Sequence, residues 1–222
     1  MLIVEELFLL MRRDDGKPES ATAQRGYGLA AAVITDLVLA GRITLSDHKD
    51  PRMSVLQAGP VGHPALDAAM SRLQERDGKR LSSLVTDRKL AVEQQVATAL
   101  AARGVVEVEE KRALGLVPAR YPVRDPEPER RLREQLRTVL SGGTPRTEDA
   151  TLLAILQGLG VAAKVLADEK GTLGRRDLKR RIEEVSTEIP AGEAVAKAVA
   201  AMNTAIMTAA ILPAITAGGS SG

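Results

Sequence analysis

The chain begins with MLIVEELFLLM (residues 1–11), an apolar stretch interrupted only by two glutamates. Its apolar side chains recur at Ile3, Leu7 and Leu10, the spacing of a helix with a wide apolar stripe. A secretory signal would place basic residues before an uninterrupted apolar run, whereas here Arg12 follows it. The run is also too short to span a bilayer. It therefore predicts the buried first helix of a folded domain, with the glutamates at its polar edge.

The composition favours helices over sheets. Of the 222 residues, 44% are hydrophobic and 27% are charged, which is typical of a globular chain. Aromatic residues make up only 1%, whereas sheets are usually rich in aromatic and β-branched side chains. The length allows one domain or two small ones. We expect a mainly α fold, a single globular multi-helix domain over residues 1–216, and a disordered tail at residues 217–222.

Charge and cysteine content limit the chemistry. The chain has no cysteine, which excludes disulfides and thiolate catalysis and fits a cytoplasmic protein. Lys and Arg exceed Asp and Glu by only 31 to 29, but basic residues cluster within 111–137 and again within 170–181. Such clusters can contact the phosphates of nucleic acid or of anionic lipid. A solvated helix face is the simpler alternative for each.

The first half of the chain alternates helical patterns with one hairpin pattern. A helix is predicted from about Ala23 to Ala40, ended by Gly41. The next apolar segments, at 42–45 and 54–57, predict a small hairpin around SDHKDPR. HPALDAAMSRLQER predicts a helix that buries Leu66, Ala69, Met70 and Leu73, and residues 79–103 predict one or two more, closing at Gly104.

The second half begins with a second hairpin pattern. VVEVEEKRALGLV changes from helical to alternating periodicity and predicts a turn at EEKR. Helices are then predicted for RRLREQLRTVL, for TPRTEDATLLAILQGLGVAAKVL as one unit, and for LKRRIEEV with Leu178, Ile182 and Val185 inward. The last helix, Ala194–Ile215, is apolar but carries Lys197, Asn203 and Pro213. It predicts a central core helix of the domain and not a membrane span.

No catalytic or metal-binding pattern stands out. His48 and His63 both lie in loop-like sequence and neither has a metal-like spacing to other ligands. Glu5 and Glu6 are adjacent, so on a helix they diverge by about 100° and do not form a paired-carboxylate site. The sequence offers neither aromatic stacking platforms nor a recognised reading motif for nucleic acid. We therefore expect no enzyme, no metal, no cofactor and no nucleic-acid partner.

Six segments follow one another in a specific order: LIVEELFLLMRRDDGK, AAAVITDLVLAGRITL, ALDAAMSRL, VATALAARGVVEVEEKRALGLVPARYPV, RRLREQLRTVL and LLAILQGLGVAAKVL. Together with the Ala-rich terminal helix they resemble the Golgi phosphoprotein 3 family, peripheral membrane proteins that bind phosphatidylinositol 4-phosphate. No single segment is a sharp signature, but their order and spacing over residues 1–215 are specific. The resemblance implies one mostly helical domain that attaches reversibly to an anionic membrane from the cytoplasm. The low aromatic content and abundant Ala, Arg and Val suggest a bacterial member.

The resemblance also indicates where this chain departs from the family. In eukaryotic members a tryptophan and several arginines form the lipid headgroup pocket. Here the tryptophan position falls on Ala21, and the arginine positions fall on Ala30, Leu90 and Glu93, of which Glu93 would repel a phosphate. Nearby basic residues are candidate substitutes in a headgroup site, with ordinary surface charges as the alternative: Arg25, Arg88 and Lys89.

By the same resemblance, the second hairpin is the candidate membrane contact and a candidate surface for self-association. Its tip has apolar side chains but no aromatic ones, so we expect weak insertion. The candidate contact residues are Lys111, Arg112, Leu114, Leu116, Val117 and Arg120. The expected partner is an anionic membrane lipid, with phosphatidylinositol 4-phosphate as one candidate. Further candidate partners are other proteins or a second copy of the chain, bound through the hairpin. The alternative function is a protein-interaction scaffold of the same fold that has lost the headgroup pocket.

Overall fold

The computed structural model describes residues 1–13, 15–18, 22–109, 119–187 and 199–209. The chain in these ranges is mainly α, as predicted. Its helices are α1 (Ile3–Leu10), α2 (Thr22–Leu39), α3 (Pro64–Gln74), α4 (Leu81–Val85), the 3-10 helix η1 (Arg88–Leu90), α5 (Glu93–Ala102), α6 (Glu127–Leu140), α7 (Thr147–Gly158), α8 (Ala162–Val165) and α9 (Arg175–Thr187). Residues 199–209 are also helical and are labelled α10. The predicted domain end at 216 and the predicted tail lie outside the described residues.

The first predicted hairpin is confirmed. Strands β1 (Ile43–Leu45) and β2 (Met53–Val55) form a two-stranded antiparallel sheet in which Ile43 pairs with Val55 and Leu45 with Met53. The preceding helix α2 ends as predicted, because Gly41 adopts a positive φ of 65° that a helix cannot continue through.

Helix α1 is the centre of the domain. All eight of its residues are buried, and it packs against α2, α5, α6 and α7. This confirms the prediction of a buried first helix, but the glutamates do not form a polar edge. Glu5 is 1% exposed and Glu6 is 5% exposed, so both carboxyl groups lie inside the protein. Asp36 of α2 caps the helix from a distance, because its two carboxylate oxygens accept the Ile3 and Val4 backbone N–H groups at 3.0 Å each.

Two of the predicted helices are divided. The segment predicted as one helix from Thr147 onward is split into α7 and α8 at Gly160, whose φ is 71°. The N–H groups of Gly160 and Val161 donate to the carbonyls of Gln157 and Leu156, which is the hydrogen-bond pattern of a Schellman cap. The segment 79–103 contains three short helical elements, α4, η1 and α5, and not one or two.

The C-terminal helix is present in α10, but only one of its faces is buried. Val199, Met202 and Ile206 are at most 2% exposed, while Met207 is 44% exposed. A central, surrounded position belongs instead to α1 and to α7, which is buried from Asp149 to Leu156. The C-terminus of α7 approaches α10 closely, since a Cβ atom at Gly158 would lie 2.5 Å from the Asn203 amide oxygen.

The second predicted hairpin begins as an antiparallel pair without regular strands. Val106 pairs with Val123, and Glu109 pairs with Arg120. Glu109 was predicted to lie in the turn EEKR, and the structure corrects this, because Glu109 is still part of the pair. Residues 110–118 lie outside the described ranges. Residues 106–109 and 120–123 are called the hairpin base below.

Candidate functional site

A buried arginine follows α1 and forms the middle of the candidate site. Arg12 is 6% exposed, and its guanidinium carbon lies 4.3 Å from the ring centroid of Phe8 and 4.5 Å from that of Tyr121. The two rings meet edge to face at a centroid distance of 5.5 Å. Both contacts are within cation–π range, so the cation is stabilised by two of the three aromatic residues of the chain.

Two arginines share one carboxylate at this point. Arg12 donates from Nη2 to the Glu93 carboxylate, and Arg25 Nε lies 3.7 Å from the same Glu93 oxygen. A second Arg12 nitrogen, Nη1, donates to the Gly16 carbonyl at 3.2 Å. Burial lowers the pKa of Arg12, and the negative charge of Glu93 opposes that shift. Because two cations meet one anion, the cluster keeps an excess of positive charge.

Close backbone packing brings the surrounding elements to this cluster. A Cβ atom at Gly16 would lie 2.6 Å from backbone atoms of Tyr121 and Pro122, so the loop at 15–18 presses directly against the hairpin base. On the other side, a Cβ atom at Gly26 of α2 would be 3.6 Å from the Ala91 Cβ atom, next to η1. The loop, α2, η1 and the hairpin base therefore converge around Arg12. The cluster Arg12, Arg25 and Glu93, taken together with the exposed residues Arg88 and Lys89 of η1, which packs on α2, is called the basic site below.

The predicted headgroup residues have different environments. Arg25 is in the basic site, and its side chain is 11% exposed. Arg88 and Lys89 are exposed on η1, where the Asp87 side chain accepts the Lys89 backbone N–H and caps the helix. Within the described part of the chain, neither Arg88 nor Lys89 forms an ion pair through its side chain.

The positions that correspond to the family's pocket are only partly at the surface. Ala30 and Leu90 are both 0% exposed and belong to the core, so neither side chain is available to a ligand. Glu93 is in the basic site, and Ala21 lies outside the described residues. The basic site is thus formed from neighbouring arginines and not from the positions that the resemblance indicated.

Of the hairpin candidates, only Arg120 is described. It is exposed and pairs with Glu109 at the end of the hairpin base, while Val108 nearby is 37% exposed. The remaining candidates lie outside the described residues: Lys111, Arg112, Leu114, Leu116 and Val117.

Sequence reasoning missed Arg12 and Tyr121. In the sequence, Arg12 argues only against a signal peptide, and Tyr121 is only one of three aromatic residues. Only the contact between Phe8 and Arg12 has a local sequence signal, because the two residues are four positions apart, which is the spacing of one helical face. The partnership with Glu93, 81 residues away, has no local signature.

His63, one of the two histidines in loop-like sequence, has a structural role. The His63 Nδ1 atom accepts the Ala65 backbone N–H at 3.3 Å, so its protonated Nε2 donates to Glu5 at 3.0 Å. Arg103 also donates to the Glu5 carboxylate. Burial acts to raise the pKa of Glu5, but hydrogen bonds from Arg103, the Leu2 N–H and His63 outweigh it and lower that pKa. This network fixes the start of α3 against α1.

Comparisons with known proteins agree with this fold. A family model described as Golgi phosphoprotein 3 (GPP34) matches residues 3–202, from the first residue of α1 into α10. A search among curated proteins gives no significant match. Among the described helices, none combines the length and the apolar character needed to cross a membrane. The matched range contains every residue of the basic site, and because it covers most of the 222 residues the chain belongs to the Golgi phosphoprotein 3 family.

Proposed function

We propose that the protein is a non-catalytic, cytoplasmic protein that attaches reversibly to membranes by binding the phosphate-bearing headgroup of an anionic lipid, with phosphatidylinositol 4-phosphate as the first candidate. The observation that carries the proposal is the charge of the basic site. Arg12 and Arg25 there share a single carboxylate, Glu93, and the exposed cations Arg88 and Lys89 lie on η1, which ends just before Glu93 in the chain. Membership of the family supports the same function.

The other acid near η1 does not neutralise this charge. Asp87 is 8% exposed at its side chain, and one of its oxygens lies 2.7 Å from Arg72 and 3.6 Å from Arg76. Its other oxygen accepts the Lys89 backbone N–H at 3.0 Å. Since these groups saturate Asp87, the side chains of Arg88 and Lys89 remain available for phosphate oxygens.

The arrangement of the hairpin base supports a second contact with the same membrane. Tyr121 of the base packs on Arg12, and the Gly16 loop presses on it. The candidate residues of the hairpin are thus joined to the chain beside the basic site. Each basic residue near an anionic surface contributes about 1 kcal/mol, so a few such contacts give reversible binding.

The alternative function, a protein-interaction scaffold, is favoured by one observation. Glu93 forms ion pairs with both Arg12 and Arg25, so these cations are already partly neutralised within the protein. If these ion pairs neutralise Arg12 and Arg25 fully, the two cations are not available to a lipid headgroup, although the fold is retained.

Vesicle co-sedimentation distinguishes the two functions. We expect the protein to pellet with phosphatidylcholine vesicles that contain phosphatidylinositol 4-phosphate, and to stay in solution with phosphatidylcholine alone. The double variant Arg88→Glu/Lys89→Glu should lose this binding. A matched control, Arg176→Glu/Lys179→Glu, reverses two exposed cations on α9 and should bind as the wild type does. Equal pelleting with both vesicle types, or none with either, would reject the lipid proposal.

A further inference from the structure

A second cleft lies on another part of the surface, between the start of α1 and helices α6 and α7. It has a volume of about 550 Å³, within the range of small-molecule sites. Its walls include Glu6 from α1, Arg131 and Gln135 from α6, and Arg146 just before α7. The residues of the basic site do not line it.

Glu6 is the unusual group in this cleft. It is 5% exposed, and its Oε2 atom is buried without a hydrogen-bond partner. Among the described residues, its carboxyl group receives no hydrogen bond at all, although Arg146 and the N-terminal amine act on it through their charges. Buried polar groups in folded proteins nearly always have a partner, because an unsatisfied one is costly. The carboxyl group of Glu6, which lines the cleft, therefore lacks a hydrogen-bond donor among the described residues.

The neighbouring polar side chains are held in place by a different acid. Asp149 is 0% exposed and receives hydrogen bonds from Arg146 Nε at 3.1 Å, Arg146 Nη2 at 2.6 Å and Gln135 Nε2 at 3.0 Å. Because Asp149 engages both side chains, neither turns to satisfy Glu6. The polar wall is thus preorganised around the Glu6 carboxyl group, which has no hydrogen-bond donor.

The unpartnered carboxyl of Glu6, and not the net charge of the cleft, favours a cationic donor. Glu127 at the rim is paired with Arg130, and Arg146 is paired with Asp149. Once these internal pairs are set aside, Glu6 and Asp125 are the remaining acids, and Arg131 and the N-terminal amine of Met1 are the remaining bases. A charged donor makes a stronger hydrogen bond with a carboxylate than a neutral one does.

We infer that this cleft binds a small molecule bearing a primary ammonium group, which donates its N–H to the unpartnered carboxylate of Glu6. Simple amines and α-amino acids belong to this class, and an α-amino acid also offers a carboxylate to Arg131. Binding of such a cation favours the ionised form of Glu6. Burial raises the pKa of this carboxyl to about 7, and a bound ammonium should lower it again.

The inference is tested with three small probes that differ in their charged groups: ethylammonium, alanine and propionate. Ligand-induced shifts in ¹H–¹⁵N NMR spectra should report saturable binding of ethylammonium, alanine or both, with contacts at Glu6 and Gln135. Glu6→Gln, which removes the carboxylate at nearly constant volume, should weaken that binding about tenfold or more. The control Glu134→Gln changes an exposed acid on α6 outside the cleft and should leave binding unchanged.

A measurement on the wild-type protein guards against a variant that folds poorly. The ¹³C carboxyl resonance of Glu6, followed against pH, should titrate at lower pH in the presence of saturating ethylammonium or alanine. Binding of propionate alone, binding that survives Glu6→Gln, or a Glu6 titration unmoved by every probe would each overturn the inference. Because the basic site takes no part, loss of vesicle binding and loss of this binding are independent results.

Discussion

Arg12 and Glu93, 81 residues apart in the sequence, form an ion pair that joins the end of α1 to the start of α5. Glu93 occupies a position at which the resemblance places an arginine of the family's headgroup pocket. Its carboxylate lies against Arg12 and Arg25, where a phosphate would meet the same two cations. The pair thus stabilises the fold around a buried cation, and under the proposed function it would also compete with an anionic headgroup.

Removal of the Glu93 charge should therefore strengthen lipid binding and weaken the fold. In Glu93→Gln, Arg12 and Arg25 lose their carboxylate, so we expect several-fold tighter binding to anionic vesicles. The free energy of unfolding should fall by about 1–3 kcal/mol, below the cost of breaking a fully buried pair because Glu93 is 30% exposed at its side chain. Vesicle titration and urea unfolding measure the two effects. Unchanged stability with weaker binding would contradict both.

The contribution of the aromatic ring of Tyr121 to stability can be measured separately from that of its hydroxyl group. Tyr121→Phe keeps the ring over the guanidinium group, so its stability should stay within about 0.5 kcal/mol of the wild type. Tyr121→Leu removes the ring and its edge-to-face contact with Phe8, and should cost about 1–3 kcal/mol. Urea unfolding of the two variants gives the comparison. Equal losses in both would show that the hydroxyl group, and not the ring, carries the stability.

Two buried acids should make the protein more stable as the pH falls below neutral. Burial raises the pKa of Glu6 and of Asp36 to about 7, while the same groups titrate near about 4 in the unfolded chain. Between these values the folded state binds more protons than the unfolded state. Their contribution is therefore complete below about pH 4 and is lost as the pH rises through 7. Glu5 and Asp87 have lowered pKa values and act in the opposite direction, but only at lower pH.

Glu6→Gln isolates part of this effect. The charges that act on Glu6 are those of Arg146, the N-terminal amine, Asp149 and Asp36, and the substitution leaves all of them in place. At pH 7.5 the variant should be more stable than the wild type by about 1–3 kcal/mol, and the difference should vanish near pH 4. Urea unfolding between these pH values measures it. A variant that is less stable at pH 7.5 would show that the ionised carboxylate is stabilised in the fold.

The parts of the structure that were predictable from sequence have local causes. The inward face of α9, with Leu178, Ile182 and Val185, follows from periodicity, and the end of α2 follows from Gly41. The break at Gly160 was missed because apolar periodicity continues across it, although the backbone there is left-handed.

The candidate site was less predictable, because its contacts are long-range. Arg25 was found from its position near the family's pocket. The burial of Glu5 depends on Arg103 and His63, and the role of Arg12 depends on Glu93 and Tyr121, none of which is close in sequence. A pattern within one helix cannot show which distant residue will satisfy a buried charge.

The contact between the Gly16 loop and the hairpin base can be tested with a matched pair of glycines. Gly16 and Gly59 both have positive φ, 75° and 95°, but only Gly16 has backbone atoms within 4 Å of an added Cβ. Gly59→Ala should therefore cost about 1 kcal/mol, the penalty of the left-handed backbone alone. Gly16→Ala adds a clash with Tyr121 and Pro122 at 2.6 Å and should cost about 1–3 kcal/mol more. It should also weaken binding to anionic vesicles, because the loop and the hairpin base must separate beside Arg12. Equal costs for the two variants in urea unfolding would mean that the loop moves freely away from the hairpin base, and that the basic site does not depend on this packing.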